Sequence, residues 1–175
     1  MSTTYASVIV TFMRDVILIA HNVRSTYNVG SLLRTADGLG VKAVFLTGYT
    51  PYPQDPYDER LPYIAQKVDS QIHKTALGAE QSVTWRHSEM LEPLLDELRG
   101  TGFAIVALEQ HEHAVPLPDF QPTQKLALIV GREVEGIESD ILGICDSIVE
   151  IPMRGHKESF NVASAAAMAL YALIY

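Results

Sequence analysis

The sequence is poor in the residues that build crosslinks and metal sites. Cys145 is the only cysteine in 175 residues, which rules out an intrachain disulfide and argues against zinc, so no metal is expected. Long apolar runs are missing as well. No stretch approaches the roughly 20 residues of a transmembrane helix. The apolar beginning of the chain is broken by Arg14-Asp15 and has neither a basic leader nor a small-residue cleavage site. A cytoplasmic protein without membrane contact is the expectation. Basic residues are scarce: 13 Lys and Arg against 21 Asp and Glu leave a formal net charge of −8, which disfavours nonspecific binding to nucleic acid. Neither a Walker A loop nor G-x-G-x-x-G occurs, and no metal-ligand spacing or Ser-His-Asp order stands out. Repeats, low-complexity tracts and linkers are absent too, so residues 1–175 are read as one domain.

Hydrophobic residues make up 47% of the chain and charged residues 19%, which fits a packed globule rather than a disordered chain. Val16-Ile-Leu-Ile-Ala is a continuous apolar run, as in a strand buried on both faces of a parallel sheet. It leads into a polar loop over 21–30, a helix over 31–40 closed by Gly38 or Gly40, and a strand over 41–47, which together make a βαβ unit. With four prolines between Pro51 and Pro62, residues 48–71 read as a long irregular excursion. Further strands are predicted at 82–85, 103–108, 125–130 and 147–151, with helices at 89–99 and around 138–142. An alanine-rich helix from Val162 closes the chain, with Ser159 and Asn161 placed as N-caps. The alternation indicates an α/β fold with a mainly parallel sheet flanked by helices.

Ligands of such sheets bind beyond the carboxyl ends of the strands. Three loops leave strands there with unusual polarity: 22–30, 131–136 and 152–161. They offer amides, hydroxyls, glycines and one glutamate, together with locally basic side chains: Arg24 and Arg34, then Arg132, then Arg154, His156 and Lys157. If these cations converge, an acidic body carries one basic cleft, suited to a small polar cofactor beside a phosphate-bearing substrate.

Asn28-Val-Gly-Ser-Leu-Leu-Arg-Thr-Ala resembles the first motif of the SpoU (TrmH-like) RNA ribose 2′-O-methyltransferases of the SPOUT superfamily. Leu128-Ile-Val-Gly-Arg-Glu-Val-Glu-Gly-Ile resembles the second, and Ile151-Pro-Met-Arg-Gly-His-Lys-Glu-Ser-Phe-Asn-Val-Ala the third. All three occur in order. The resemblance implies a deep trefoil knot at the C-terminal end, S-adenosylmethionine held there, RNA (tRNA or rRNA) as substrate, and a homodimer whose site draws on both subunits. No spacing argument yields a knot, since ordinary folds lack them. The alternative is an RNA-binding knotted dimer with little activity alone or needing a partner. The resemblance also implies residue roles. Arg34 matches the catalytic arginine, Asn28 the substrate-placing asparagine, Glu133 the second-motif glutamate, and Ser159 and Asn161 the polar pair of the third motif. Leu108, Val130, Gly131, Ile151 and Met153, with Ser159 and Asn161, match the cofactor positions, and Arg24, Arg132, Arg154 and Lys157 are the expected RNA contacts. Each residue also has a plain local reading. Arg34 could pair with Asp37 on the next turn, Asn28 could make only an Asx turn, and Ser159 and Asn161 could be caps and nothing more. The final helix could pack within the subunit or against a second copy.

Overall fold

The computed structural model describes residues 13–175; the weakly patterned start of the chain lies outside the described residues. Its centre is β1 (Asp15–His21), whose alternate side chains serve two cores. Val16, Leu18 and Ala20 enter one cluster, while Ile17 and Ile19 enter the other. A strand apolar on both faces needs helices on both sides, and the chain supplies them. The sheet runs β3-β2-β1-β6-β4-β7-β5 with every pair parallel. Its strands are β2 (Ala43–Thr47), β3 (Trp85–Ser88), β4 (Ala104–Leu108), β5 (Val115–Pro116), β6 (Lys125–Val130) and β7 (Ser147–Glu150). Because β6 is inserted between β1 and β4, the loops leaving β1, β4, β6 and β7 share one edge of the sheet.

On one face lie α1 (Thr26–Leu39), α2 (Pro62–Ala76), the short α3 (Ala79–Ser82) and α6 (Val162–Ile174); on the other lie α4 (Glu92–Gly100) and α5 (Ser139–Gly143). The first helix starts at Thr26, not at Ser31 as predicted. Ser25 is its N-cap and accepts from the Asn28 backbone N–H at 3.3 Å, and Gly40 closes it in the left-handed conformation at φ 67°. Gly30 therefore sits inside the helix, where the crossing with α2 demands it. A Cβ there would overlap Thr75 Oγ1, the Ile72 carbonyl and the Ala76 backbone nitrogen.

The excursion over 48–71 is also corrected, since its last third is α2. Pro62 begins that helix, the one position where proline's missing N–H costs nothing. The remaining irregular stretch is tied down by Arg60. Its guanidinium donates to Asp58 and to the Tyr52 and Pro53 carbonyls, and stacks 3.6 Å from the Tyr52 ring centroid. The predicted strand at 82–85 lies three residues later, because Ser82 ends α3. The short β5 and the 3-10 turn Leu117–Asp119 were not predicted; Pro116 is tolerated because β5 is an edge strand. In α6 the alanines are the packing face: Ala163, Ala166 and Ala169 are buried with Leu170 and Leu173, whereas Met168, Tyr171 and Tyr175 stay exposed.

Candidate functional site

A cleft of about 290 Å³ opens at the carboxyl edge, between the loops that follow β4, β6 and β7. Leu108, Val130, Ile151, Val162 and Ala165 give it apolar walls. The β6–α5 loop is kept low by its glycines. Arg132 N–H donates to the Gly136 carbonyl at 3.2 Å, so 132–136 forms a small hairpin. A Cβ on Gly131 would lie 2.6 Å from Ile137 Cγ1, and Gly136 is left-handed at φ 70°. Of the expected cofactor residues, Leu108, Val130, Gly131, Ile151 and Ser159 line the cleft; Met153 and Asn161 lie outside its lining.

Beside the cleft, one hydrogen-bonded chain of side chains joins all three motif loops. Glu133 Oε1 accepts from Asn28 Nδ2 at 2.8 Å and from the Ser25 N–H at 3.2 Å. Glu133 Oε2 accepts from the Arg24 N–H at 3.3 Å. Asn28 Oδ1 in turn accepts from Asn161 Nδ2 at 3.0 Å. Asn161 Oδ1 caps α6, accepting from the Ala163 and Ser164 N–H groups at 2.9 and 3.3 Å. Partial burial acts to raise the Glu133 carboxyl, but the Asn28 amide and the backbone N–H donors outweigh it and hold the group below its ordinary value. Asn28 is thus a cross-link rather than an isolated turn residue, and Asn161 is both cap and connector. Ser159 lies two residues ahead of the cap.

The basic residues do not gather into one cleft. Arg24 pairs with Glu135 at 2.9 Å, and Arg132 with Glu138 at 3.2 Å. Arg154 and Lys157 are exposed on the β7–α6 loop and make no ion pair among the described residues. Arg34 is exposed on α1 and does not pair with Asp37, which accepts instead from the Ser82 hydroxyl at 2.6 Å.

Three site residues lay outside the sequence reading. Glu109 lines the cleft directly after β4. His21 and Glu138 meet beneath the motif loops, with His21 Nε2 3.6 Å from Glu138 Oε2. His21 Nδ1 lies 2.8 Å from Thr47 Oγ1, and Asn22, left-handed at φ 57°, donates to Glu138 Oε1 at 3.2 Å. Burial lowers the His21 pKa, against the raising effect of Glu138. Only a buried histidine at a strand end hinted at this network; Glu109 had no sequence signal.

An all-parallel α/β domain with a glycine-walled cleft at the carboxyl ends of its strands is a small-ligand-binding domain of the open-sheet kind. Residues 15–171 match the SpoU rRNA Methylase family, and the chain belongs to that family. A protein of Staphylococcus epidermidis named for the TrmH family of tRNA/rRNA methyltransferases is 31% identical over 155 residues, which is 89% of this chain and 56% of that protein. The chain thus spans just over half the length of the curated relatives it matches. Among solved structures, the SpoU methyltransferase AviRb from Streptomyces viridochromogenes, in complex with AdoMet, superposes with a TM-score of 0.74 at 26% identity, covering 93% of this chain and 57% of that one. An RNA 2′-O ribose methyltransferase does so with a TM-score of 0.74 at 27% identity, over 92% and 56%. Among the described residues, no helix is long and apolar enough to cross a membrane.

Proposed function

We propose that this chain transfers a methyl group from S-adenosylmethionine to a ribose 2′-hydroxyl of RNA, tRNA or rRNA, and that it works as a homodimer with a knotted C-terminal region. The observation that carries the reading is the Asn161–Asn28–Glu133 chain, which brings residues of the three motifs into one network beside the cleft. The cleft fits the cofactor on its own terms. Apolar Leu108, Val130 and Ile151 suit an adenine ring, and the Cβ-free Gly131 and Gly136 leave backbone groups open to ligand polar atoms. S-adenosylmethionine, when bound, supplies an electrophilic methyl on a sulfonium that keeps the bonding electrons.

The protein's part is to place the hydroxyl and to answer the charge that develops on it. Arg34 suits the second task, because a guanidinium keeps its proton and can stabilise a forming alkoxide while that proton leaves by another route. Asn28 and Arg34 are six residues apart on α1, so at about 100° per residue they point to different sides of the helix. Asn28 serves the cleft of its own subunit. Arg34 therefore suits a site completed by a second copy, and the exposed Tyr171 and Tyr175 on α6 offer apolar surface for that copy. The knot is supported by the packing of the 117–119 turn against α6 and by the insertion of β6 between β1 and β4.

The test is incubation of total RNA with S-adenosylmethionine labelled in the methyl group, followed by mapping of the modified nucleotide. Label at a ribose oxygen supports the reading. Label at a base overturns the 2′-O assignment, and no label with any RNA overturns the activity.

A further inference from the structure

The ionisable lining of the cleft is one-sided. Glu109, Glu133, Glu150 and Glu158 line it against Arg132 alone, and Arg132 is already paired with Glu138. The carboxylates are not equivalent. Glu133 is turned toward Asn28 and the start of α1. Glu109 stands at the end of β4, with Oε1 accepting from the Gln110 N–H at 3.0 Å and Oε2 from the Ile137 N–H at 2.9 Å. Gly136 leaves the space this carboxylate fills, since a Cβ there would overlap Oε2. Backbone amides fix its position but carry no net charge, and no cation pairs with Glu109 among the described residues. The cationic part of the β7–α6 loop does not compensate: Glu158, Ser159 and Phe160 line the cleft from there, while Arg154 and Lys157 do not.

We propose that Glu109 makes the cleft charge-selective, so that it holds the cationic methyl donor more tightly than the neutral, demethylated product. The inference rests on the cofactor reading given above. The two nucleosides share adenosine, an ammonium and a carboxylate and differ chiefly at sulfur, which is a sulfonium in the donor and a thioether in the product. A fixed carboxylate in a partly desolvated cleft attracts the first and is indifferent to the second. At about 4 Å even fully hydrated charges would give about a fivefold preference. Such a cleft lets go of its product because the charge that helped to bind the donor is gone.

The experiment is calorimetric titration of the full chain with S-adenosylmethionine, S-adenosylhomocysteine and sinefungin, whose amine replaces the sulfonium with another cation. The wild-type protein is expected to bind both cationic ligands about fivefold or more tighter than S-adenosylhomocysteine. Raising NaCl to about 1 M, where the screening length is about 3 Å, should shrink that ratio toward one without any mutation. Glu109→Gln should shrink it at low salt while changing the affinity for S-adenosylhomocysteine by less than about twofold. Glu158→Gln, whose carboxylate makes no hydrogen bond among the described residues, should shrink it less. Equal affinities in the wild type, or a ratio untouched by both salt and Glu109→Gln, overturn the inference and leave the cofactor reading standing. Failure of all three ligands to bind overturns both.

Discussion

Asn28 donates its side-chain amide to Glu133 at 2.8 Å, joining the first turn of α1 to the hairpin after β6 across 105 residues of chain. The same carboxylate takes the Arg24 and Ser25 N–H groups. One ionised side chain thus fixes the loop that starts α1, and Asn28 can pass that order on to the cap of α6 through Asn161.

This has a measurable pH dependence. Glu133 is held below its ordinary value of 4.5 in the folded protein, so its contribution to stability is fully present above about pH 4.5 and is lost as pH falls through the lower folded value. Urea denaturation of wild type and Glu133→Gln across about pH 3 to 7 should show a gap that closes toward acid. The gap should be modest, because the group is partly exposed. A pH-independent gap would show that the ionised carboxylate is not what matters.

His21 acts in a higher window. Burial holds it below 6.5, so between the folded value and 6.5 the unfolded chain binds more protons and stability falls as pH falls. Wild-type stability should decline from about pH 7 to 5.5, and His21→Gln should flatten that slope whatever its absolute stability. Glu138→Gln removes a charge that favours the imidazolium, so the histidine should titrate at still lower pH by NMR.

Two glycines on α1 should respond in opposite directions to alanine. Gly30→Ala drives a methyl into Thr75 and the backbone of α2 and should cost about 1–3 kcal/mol. Gly38 meets nothing within 4 Å and has helical neighbours, so Gly38→Ala should stabilise by about 0.5–1 kcal/mol. Thermal melting of the two single variants checks both signs.

Arg34→Ala should leave folding and cofactor affinity near wild type while cutting single-turnover methylation by about 100-fold or more. Arg34→Lys keeps the charge but loses the planar fork, and near-complete loss there too would assign the effect to guanidinium geometry. Arg154→Ala and Lys157→Ala should mainly raise the RNA Michaelis constant and flatten its salt dependence. A folded Arg34→Ala protein methylating at the wild-type rate would remove the residue from the mechanism.

What the sequence made legible follows from how local the determining interaction is. The strand Lys125–Val130 was placed at its observed ends because burial on both faces leaves an unbroken apolar run. The helix starting at Thr26 was cut short because Asn28-Val-Gly reads as a turn, although Ser25 ahead of it carried a cap signal. Helix α2 was hidden among prolines, yet Pro62 stands where a helix begins and Ala65, Ile72 and Ala76 mark its buried side. The family motifs pointed to the residues of the Asn161–Asn28–Glu133 chain, but not to who bonds whom. Arg24 and Arg132 read as free cations because Glu135 and Glu138 neutralise them through folds of the chain that no local pattern announces.

The position of β6 between β1 and β4 also sets the order in which this protein can be made. Asp15 pairs with Lys125, and Ala20 with Val130, so the first strand waits for most of the polypeptide before its second neighbour exists. The network at the cleft waits longer, until Asn161 has arrived. Contacts of such long sequence separation slow folding, because loop closure is lost before pairing is gained. During synthesis β1 can pair with β2 and rest against α1 and α2, leaving one sheet edge bare for as long as the ribosome takes to reach residue 130. A chaperone that shields that bare edge has its longest opportunity in this interval, and refolding from denaturant should be rate-limited by the same late insertion.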